Sequence, residues 1–203
     1  RAKTMMINAP RFDNWNGKPI KSELEKEIGA PVYIENDAAV SGLGEAIYGA
    51  GKGKSIVVYM TVSTGVGGAR ILDGKIDRNS LGFEPGHQII CFESGGSLES
   101  YVSGSALEKR FGKKPYEISD PKIWDEIAKY LAYGLANTIV HWSPEIVILG
   151  GSIMNKIEIE RVRYHLKNIL KIFPEMPPIE KAKLGDLGGL YGALIFLNQM
   201  KQT

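Results

Sequence analysis

The most regular hydrophobic pattern lies in the second half of the chain, where apolar residues recur every four positions. They are Ile123, Ile127, Leu131, Leu135 and Ile139. This spacing predicts a helix over residues 121–141, with Asp120 as its cap and Pro121 at its first position.

Shorter patterns of the same kind predict further helices. Ile20, Leu24 and Ile28 indicate one over residues 19–29. Small and apolar residues predict another over 38–48, with Asp37 in the position of an N-cap. A third helix over 98–111 is interrupted at Gly104, where a capping box of Ser105 and Glu108 restarts it.

Strands are indicated by runs of β-branched and alternating apolar residues. Residues 55–62 and 66–72 form two such runs, and Asp73-Gly74 is a typical two-residue hairpin turn, so this region predicts a β-meander. Further strands are predicted over 3–8, 31–35, 145–149 and 179–184, and further helices over 157–171 and 188–200. Strands and helices alternate in the second half, which indicates an α/β protein.

Composition and charge exclude some classes of function. The 203 residues include 25 basic and 23 acidic residues that are interspersed, so no electropositive face for nucleic acid is expected. The one cysteine, Cys91, cannot form an internal disulfide, and there is no long apolar span or signal-peptide pattern. We therefore expect a cytoplasmic protein that binds neither nucleic acid nor membrane.

Two segments carry candidate chemistry. Residues 61–68, Thr-Val-Ser-Thr-Gly-Val-Gly-Gly, join the two central strands with hydroxyls and unhindered backbone amides, which suits either phosphate binding or a plain glycine-rich hairpin. The turn Gly82-Phe-Glu-Pro-Gly-His87 and the helix start at Glu99 contain polar groups that, taken singly, also fit exposed turn and helix-end positions.

The order of these segments resembles the ROK family of sugar kinases and sugar-responsive repressors, within the actin-like ATPase superfamily. The resemblance runs from about Asn8 to the C-terminus. It is carried by Glu35-Asn-Asp37, Leu43-Gly-Glu45, Gly49-Ala-Gly51, the 61–68 segment, Glu84-Pro-Gly-His87, Leu98-Glu99, Val102-Ser-Gly-Ser-Ala-Leu107 and Ile148-Leu-Gly-Gly151. It implies an RNase H-like α/β large lobe, with a mixed sheet flanked by helices, and a glucokinase-like activity that phosphorylates a hexose with ATP and Mg²⁺.

The resemblance also implies roles for individual residues. The position of Asp37 matches the general base that takes the proton from the attacking sugar hydroxyl. The other implied sugar ligands are Asn36, Glu84, His87 and Glu99, and the implied ATP contacts are Thr64 and Gly65 at the phosphates and Gly150 and Gly151 beside the adenosine. The family further implies a homodimer, with contacts from the helical segment 97–142.

The chain departs from the family pattern at three places. Only Cys91 follows His87, so a Cys₃His zinc site cannot be built and no structural zinc is expected. Ser63 stands where the family usually has Gly. The family's first phosphate motif, Asp-x-Gly-x-Thr, does not occur in these residues.

The missing motif suggests a truncated kinase of about two thirds length, with little activity alone. On this interpretation residues 1–36 are a remnant of the N-terminal lobe, 37–187 form the large lobe, and 188–203 form a terminal helix that returns toward the missing lobe. Two alternatives remain open. One is a sugar-sensing ROK transcriptional regulator, and the other is a non-catalytic sugar-binding module.

Overall fold

The computed structural model describes residues 4, 5 and 13–201 of the chain. The chain divides into two compact units, Arg1–Asp37 and Ala38–Thr203. The strand predicted over 3–8 lies, apart from residues 4 and 5, outside the described part of the chain. The roles predicted for segments 1–36, 37–187 and 188–203 stay predictions.

The first unit contains a 3₁₀ turn, Asp13–Trp15, and helix α1, Ile20–Ile28. Helix α1 ends at Gly29, which adopts the left-handed conformation (φ 67°) and donates its N–H to the Glu25 carbonyl. The strand predicted over 31–35 is wrong, because these residues form no strand within the described part of the chain. Alternation specifies which face a strand would bury, but it supplies no pairing partner.

The helices and strands that follow have these bounds, in chain order: α2 Asp37–Tyr48, β1 Ile56–Val62, β2 Val66–Leu72, β3 Lys75–Ile76, β4 Ile89–Cys91, β5 Gly96–Ser97, α3 Leu98–Val102, α4 Gly104–Phe111, α5 Pro121–Trp142, β6 Ile146–Gly150, α6 Ile159–Ile169, β7 Ile179–Lys181 and α7 Gly188–Met200. Among the described residues, no helix has both the length and the apolar content needed to cross a membrane.

The main sheet has five strands in the order β3-β2-β1-β6-β7. Strands β1, β2 and β3 pair antiparallel, whereas β1, β6 and β7 run parallel. Between β2 and β3, Asp73 and Gly74 both have positive φ (48° and 71°), as a type I′ turn requires. The sheet is therefore mixed, and the predicted meander and α/β class are confirmed.

Helices cover both faces of this sheet. On one face Val58 and Met60 of β1 face α5, in a buried cluster that includes Leu131 and Leu135. On the other face Tyr59 of β1 packs in a second cluster with residues of α2 and α7. Because β1 and β6 are covered on both faces, their sequences are continuous apolar runs.

The interruption predicted near Gly104 is confirmed, but its cap is a different residue. Helix α3 ends at Val102, and the Ser103 hydroxyl accepts the Ala106 N–H (3.2 Å) as the cap of α4. The prediction that Ser105 is the cap is therefore wrong. Ser103 is buried, so its hydroxyl has few partners other than the helix end.

Helix α7 packs on α2 through glycines. A Cβ placed on Gly44 would lie 2.3 Å from the Gly188 carbonyl oxygen, and one on Gly192 would lie 1.7 Å from the Val40 carbonyl oxygen. The two backbones therefore touch directly at this crossing. The opposite face of α7 carries exposed leucines at positions 190, 194 and 197.

Candidate functional site

A cavity of about 440 Å³ lies at the carboxyl ends of β1 and β6. These strands are parallel neighbours, with Thr61 paired to Gly150, so the turns that follow them open at the same edge of the sheet. Ligands of open α/β sheets commonly bind at such an edge. Lining residues include Thr61, Ser63, Gly150, Gly151, Ser152, Lys181, Asp186 and Gly189.

Gly150, the last residue of β6, and Gly151, which follows it, both line the cavity. A Cβ on Gly150 would lie 2.3 Å from the Tyr59 hydroxyl oxygen. Gly151 has φ 92°, and a Cβ there would lie 2.3 Å from the Val62 carbonyl oxygen. Packing against Tyr59 and Val62 therefore requires glycine at both positions, and neither residue places a side chain in the cavity. Both predicted residues line the cavity, and their nucleotide contact stays a prediction.

The turn after β1 is fixed by backbone hydrogen bonds. Ser63 N–H donates to the Gly65 carbonyl (2.9 Å), while Gly104 N–H donates to the Ser63 carbonyl (2.7 Å). Thr64 and Gly65 are not among the residues that line the cavity; Ser63 is, with its hydroxyl 3.2 Å from that of Ser152. The structure therefore places the hydroxyl of Ser63, rather than that of Thr64, at the cavity wall.

Glu99 is tied to the same turn. It is half-buried in the first turn of α3, and its Oε2 accepts the Val66 N–H at 2.7 Å. A Cβ on Gly65 would lie 2.8 Å from this oxygen. Among the described residues, Glu99 Oε1 accepts no hydrogen bond, so one oxygen positions the loop and the other is open to a ligand.

The segment Glu84–His87 reaches Val66 from another direction. Pro85–His87 form a 3₁₀ turn in which His87 N–H donates to the Glu84 carbonyl (3.1 Å). A Cβ on Gly86 would lie 2.3 Å from the Val66 carbonyl oxygen, so this turn lies directly against the start of β2. The side chains of Glu84 and His87 are both exposed. Three of the predicted sugar ligands thus come from two elements that meet at Val66.

Asn36 and Asp37 belong to the first compact unit. Both are exposed, and Asn36 N–H donates to Glu35 Oε1 (2.8 Å). Asp37 is the first residue of α2 and not the cap before it, so the predicted N-cap is wrong by one position. Their place in the site stays a prediction.

The described residues contain no group of three or more His, Cys, Asp and Glu side chains that could hold a metal ion. Cys91 ends β4, where hydrogen bonds from Ser94 and Tyr101 lower the pKa of its thiol. The expectation that the protein has no structural zinc stays a prediction.

Sequence reasoning assigned no role to Glu45, which is 1% exposed. Its carboxylate accepts two backbone N–H groups from separate parts of the chain, Ala50 and Leu184. Its position in the sequence could have indicated a structural role, because Glu45 is the one charged residue of the stretch 38–48. A lone charge in an apolar helix indicates a buried partner.

A second cavity, of about 590 Å³, lies at the opposite edge of the sheet. Lys54 and Glu145, which precede β1 and β6, line it together with the proline-rich segment 173–178. It contains none of the predicted site residues. The first cavity is therefore the better candidate, although it is smaller.

The mixed sheet flanked by helices defines an α/β protein with the actin-like ATPase fold, as in the solved ROK structures below. The sequence model described as "ROK family" matches residues 1–200, and the chain belongs to the ROK family.

Individual relatives agree with this placement. An N-acetyl-D-glucosamine kinase from Vibrio parahaemolyticus is 30% identical, over 95% of this chain and 74% of its own length. A ROK hexokinase from Thermus thermophilus superimposes with a TM-score of 0.81 and 30% identity, covering 93% of this chain and 72% of that one. A ROK glucokinase from Streptomyces griseus, solved in complex with glucose and AMPPNP, gives a TM-score of 0.76 and 26% identity, covering 92% and 74%.

Proposed function

We propose that this protein transfers a phosphoryl group from ATP to a hydroxyl of a hexose. The single observation that carries the proposal is the meeting of the Glu84–His87 turn and Glu99 at Val66, next to the turn that leads into the glycine-walled cavity. Membership of the ROK family and the similarity to a glucokinase solved with glucose and AMPPNP support it.

The cavity suits a nucleotide. Gly150 and Gly151 line it on the side proposed for the adenosine, and Ser63 lines it from the turn that also carries Thr64 and Gly65, the residues proposed to face the phosphates. Among the described residues, Asp186 is the carboxylate that lines the cavity, together with the hydroxyl-bearing residues Thr61, Ser63 and Ser152. This donor set suits Mg²⁺, which takes one or two carboxylates and otherwise binds water and phosphate oxygens.

Glu84, His87 and Glu99 suit the hydroxyls of a sugar ring. A carboxylate accepts two hydroxyl donors at once, and Glu99 has one oxygen open for this purpose. An imidazole donates or accepts according to its tautomer, and the Asn36 amide can do both. Glu84, His87 and Glu99 can together orient a polyol that a purely apolar pocket would not distinguish from water.

Asp37 is proposed as the general base. A carboxylate in the first turn of a helix is stabilised by the helix dipole and stays ionised, ready to accept a proton. Phosphoryl transfer depends mainly on positioning, and proton removal from the nucleophile comes late. ATP supplies the phosphoryl group when bound, while the side chains orient the acceptor hydroxyl and receive its proton.

The test is a coupled assay of ATP-dependent phosphorylation with the 203-residue protein against a panel of hexoses, including glucose, fructose, mannose and N-acetylhexosamines. Calorimetric titration with AMPPNP and with the best sugar accompanies it. We expect slow but measurable turnover with at least one hexose, in line with the low activity predicted from the sequence, and binding of both ligands. Sugar binding without nucleotide binding would favour a sugar sensor, and binding of neither ligand would refute the proposal. A homodimer also stays a proposal, tested by light scattering.

A further inference from the structure

Glu45 connects two segments that are far apart in the chain. Its Oε2 accepts the Ala50 N–H at 2.9 Å, in the glycine loop after α2, and its Oε1 accepts the Leu184 N–H at 2.7 Å. The carboxylate also lies folded over Gly49, where an added Cβ would come within 1.9 Å of Oε2. Both oxygens of a buried carboxylate therefore hold main chain, and no described cation forms an ion pair with it.

The segment held by Glu45 forms one wall of the cavity. Ala182 lies two residues before Leu184, and Gly185 directly follows it. Both line the cavity, as do Asp186 and Gly189. The first end of the segment is tied to β6, since Ala182 N–H donates to the Leu149 carbonyl at 2.9 Å. Its other end continues into α7.

The Glu45 contact fixes the segment at the end where it continues into α7. The Gly188 carbonyl and Gly192 meet the backbone of α2, whereas the side-chain contacts of α7 with α2 and the sheet come from Tyr191, Ile195 and Phe196, beyond the segment 182–186. A hydrogen bond from a charged group to a main-chain N–H is shorter and stronger than a neutral one. The Glu45 carboxylate is thus the polar group that holds the Leu184 backbone against α2.

We propose that Glu45 is a positioning residue for nucleotide binding, which acts by fixing the wall 182–186 and does not itself touch the nucleotide. This inference rests on the proposed function, because it takes the occupant of the cavity to be ATP. It predicts an effect on nucleotide affinity that is separate from any effect on sugar affinity.

The test compares Glu45→Gln with the wild type. A glutamine has the same size but one acceptor oxygen, so its NH₂ group faces one of the two N–H donors. We expect AMPPNP affinity to fall about five- to tenfold, with sugar affinity unchanged. Unchanged AMPPNP affinity in a folded Glu45→Gln protein would overturn the inference.

Glu145→Gln is the matched control. Glu145 Oε2 also accepts two main-chain N–H groups, from Ser55 (2.6 Å) and Ile56 (3.2 Å), but at the opposite edge of the sheet. Glu145→Gln should leave AMPPNP affinity unchanged, even where it lowers the melting temperature. Equal losses of affinity in both variants would mean that Glu45 acts only through general stability, against the inference.

Two further measurements keep the test decisive. Leu184→Pro removes the N–H donor at a residue whose φ, −85°, is close to the range that proline adopts, and it should weaken AMPPNP even if Glu45→Gln does not fold. Hydrogen exchange of residues 182–186 needs no ligand. Faster exchange of these residues in Glu45→Gln, but not in Glu145→Gln, supports the positioning role. This result holds even if the wild type binds no nucleotide and the proposed function fails. Unchanged exchange in Glu45→Gln overturns the positioning role.

Discussion

Gly192 lies where α7 crosses α2, and replacing it with alanine probes the packing beneath the cavity. The added Cβ would lie 1.7 Å from the Val40 carbonyl oxygen and 3.1 Å from the Gly44 nitrogen. These are backbone atoms and cannot move aside alone, so α7 must shift away from α2. Gly189→Ala is the matched control, because its Cβ would meet only the Ser41 hydroxyl oxygen, at an ordinary 3.6 Å.

Two opposing effects determine how much Gly192→Ala changes the free energy of unfolding. Alanine favours a helix interior over glycine by up to about 1 kcal/mol. Overpacking costs about 1–3 kcal/mol, with more expected where backbone must move. We therefore expect Gly192→Ala to lower the free energy of unfolding by about 1–2 kcal/mol, or the melting temperature by about 2–8 °C for a chain of this size. Gly189→Ala, near the helix start, should change it by no more than about 0.5 kcal/mol.

Urea denaturation followed by far-ultraviolet circular dichroism gives the free energies, and calorimetry gives the melting temperatures. Both variants and the wild type are measured under one set of conditions. A Gly192→Ala protein as stable as Gly189→Ala would show that α2 and α7 do not touch as described.

Two further predictions concern stability. Burial opposes the charged form of Asp125, but hydrogen bonds from His165 and Arg161 outweigh it and hold the pKa of this carboxyl below its usual value. A carboxyl whose pKa is lowered by folding stabilises the folded state at pH values above its ordinary pKa, and this stabilisation is lost as the pH falls through the folded-state pKa. Asp125→Asn should therefore lower the free energy of unfolding by less than about 1 kcal/mol at neutral pH and leave it unchanged in strong acid. Urea titrations across pH check this, and a pH-independent difference would contradict it. Ser103→Ala should cost about 1 kcal/mol, since its hydroxyl caps α4. Ser105→Ala should cost almost nothing by the same denaturation assay, and equal losses would restore the cap predicted from sequence.

The elements predicted correctly from the sequence are those specified by local patterns. The four-residue repeat of α5 and its Asp120 cap are confirmed, as is the Asp73-Gly74 turn. Each of these signals lies within one turn or one helix face. The strand expected over 31–35 failed because pairing depends on residues elsewhere in the chain.

Long-range partners explain what was missed. Glu45 binds the Leu184 N–H across 139 positions of sequence, and His165 of α6 contacts Asp125 of α5 across 40 positions. Spacing within a helix gives no information about such contacts. Likewise, the sequence identified the turn after β1, but only the folded backbone shows that Ser63, and not Thr64, lines the cavity.

The measurement closest to the central claim is the rate of phosphoryl transfer from ATP to the best hexose, compared between wild type and Asp37→Asn. Asp73→Asn is the control, because Asp73 lies in the exposed hairpin turn with φ 48°, a conformation that asparagine tolerates. If Asp37 is the general base, Asp37→Asn slows turnover by about 10²- to 10⁴-fold and retains AMPPNP affinity, whereas Asp73→Asn has the wild-type rate. An Asp37→Asn protein with the wild-type rate would contradict this role.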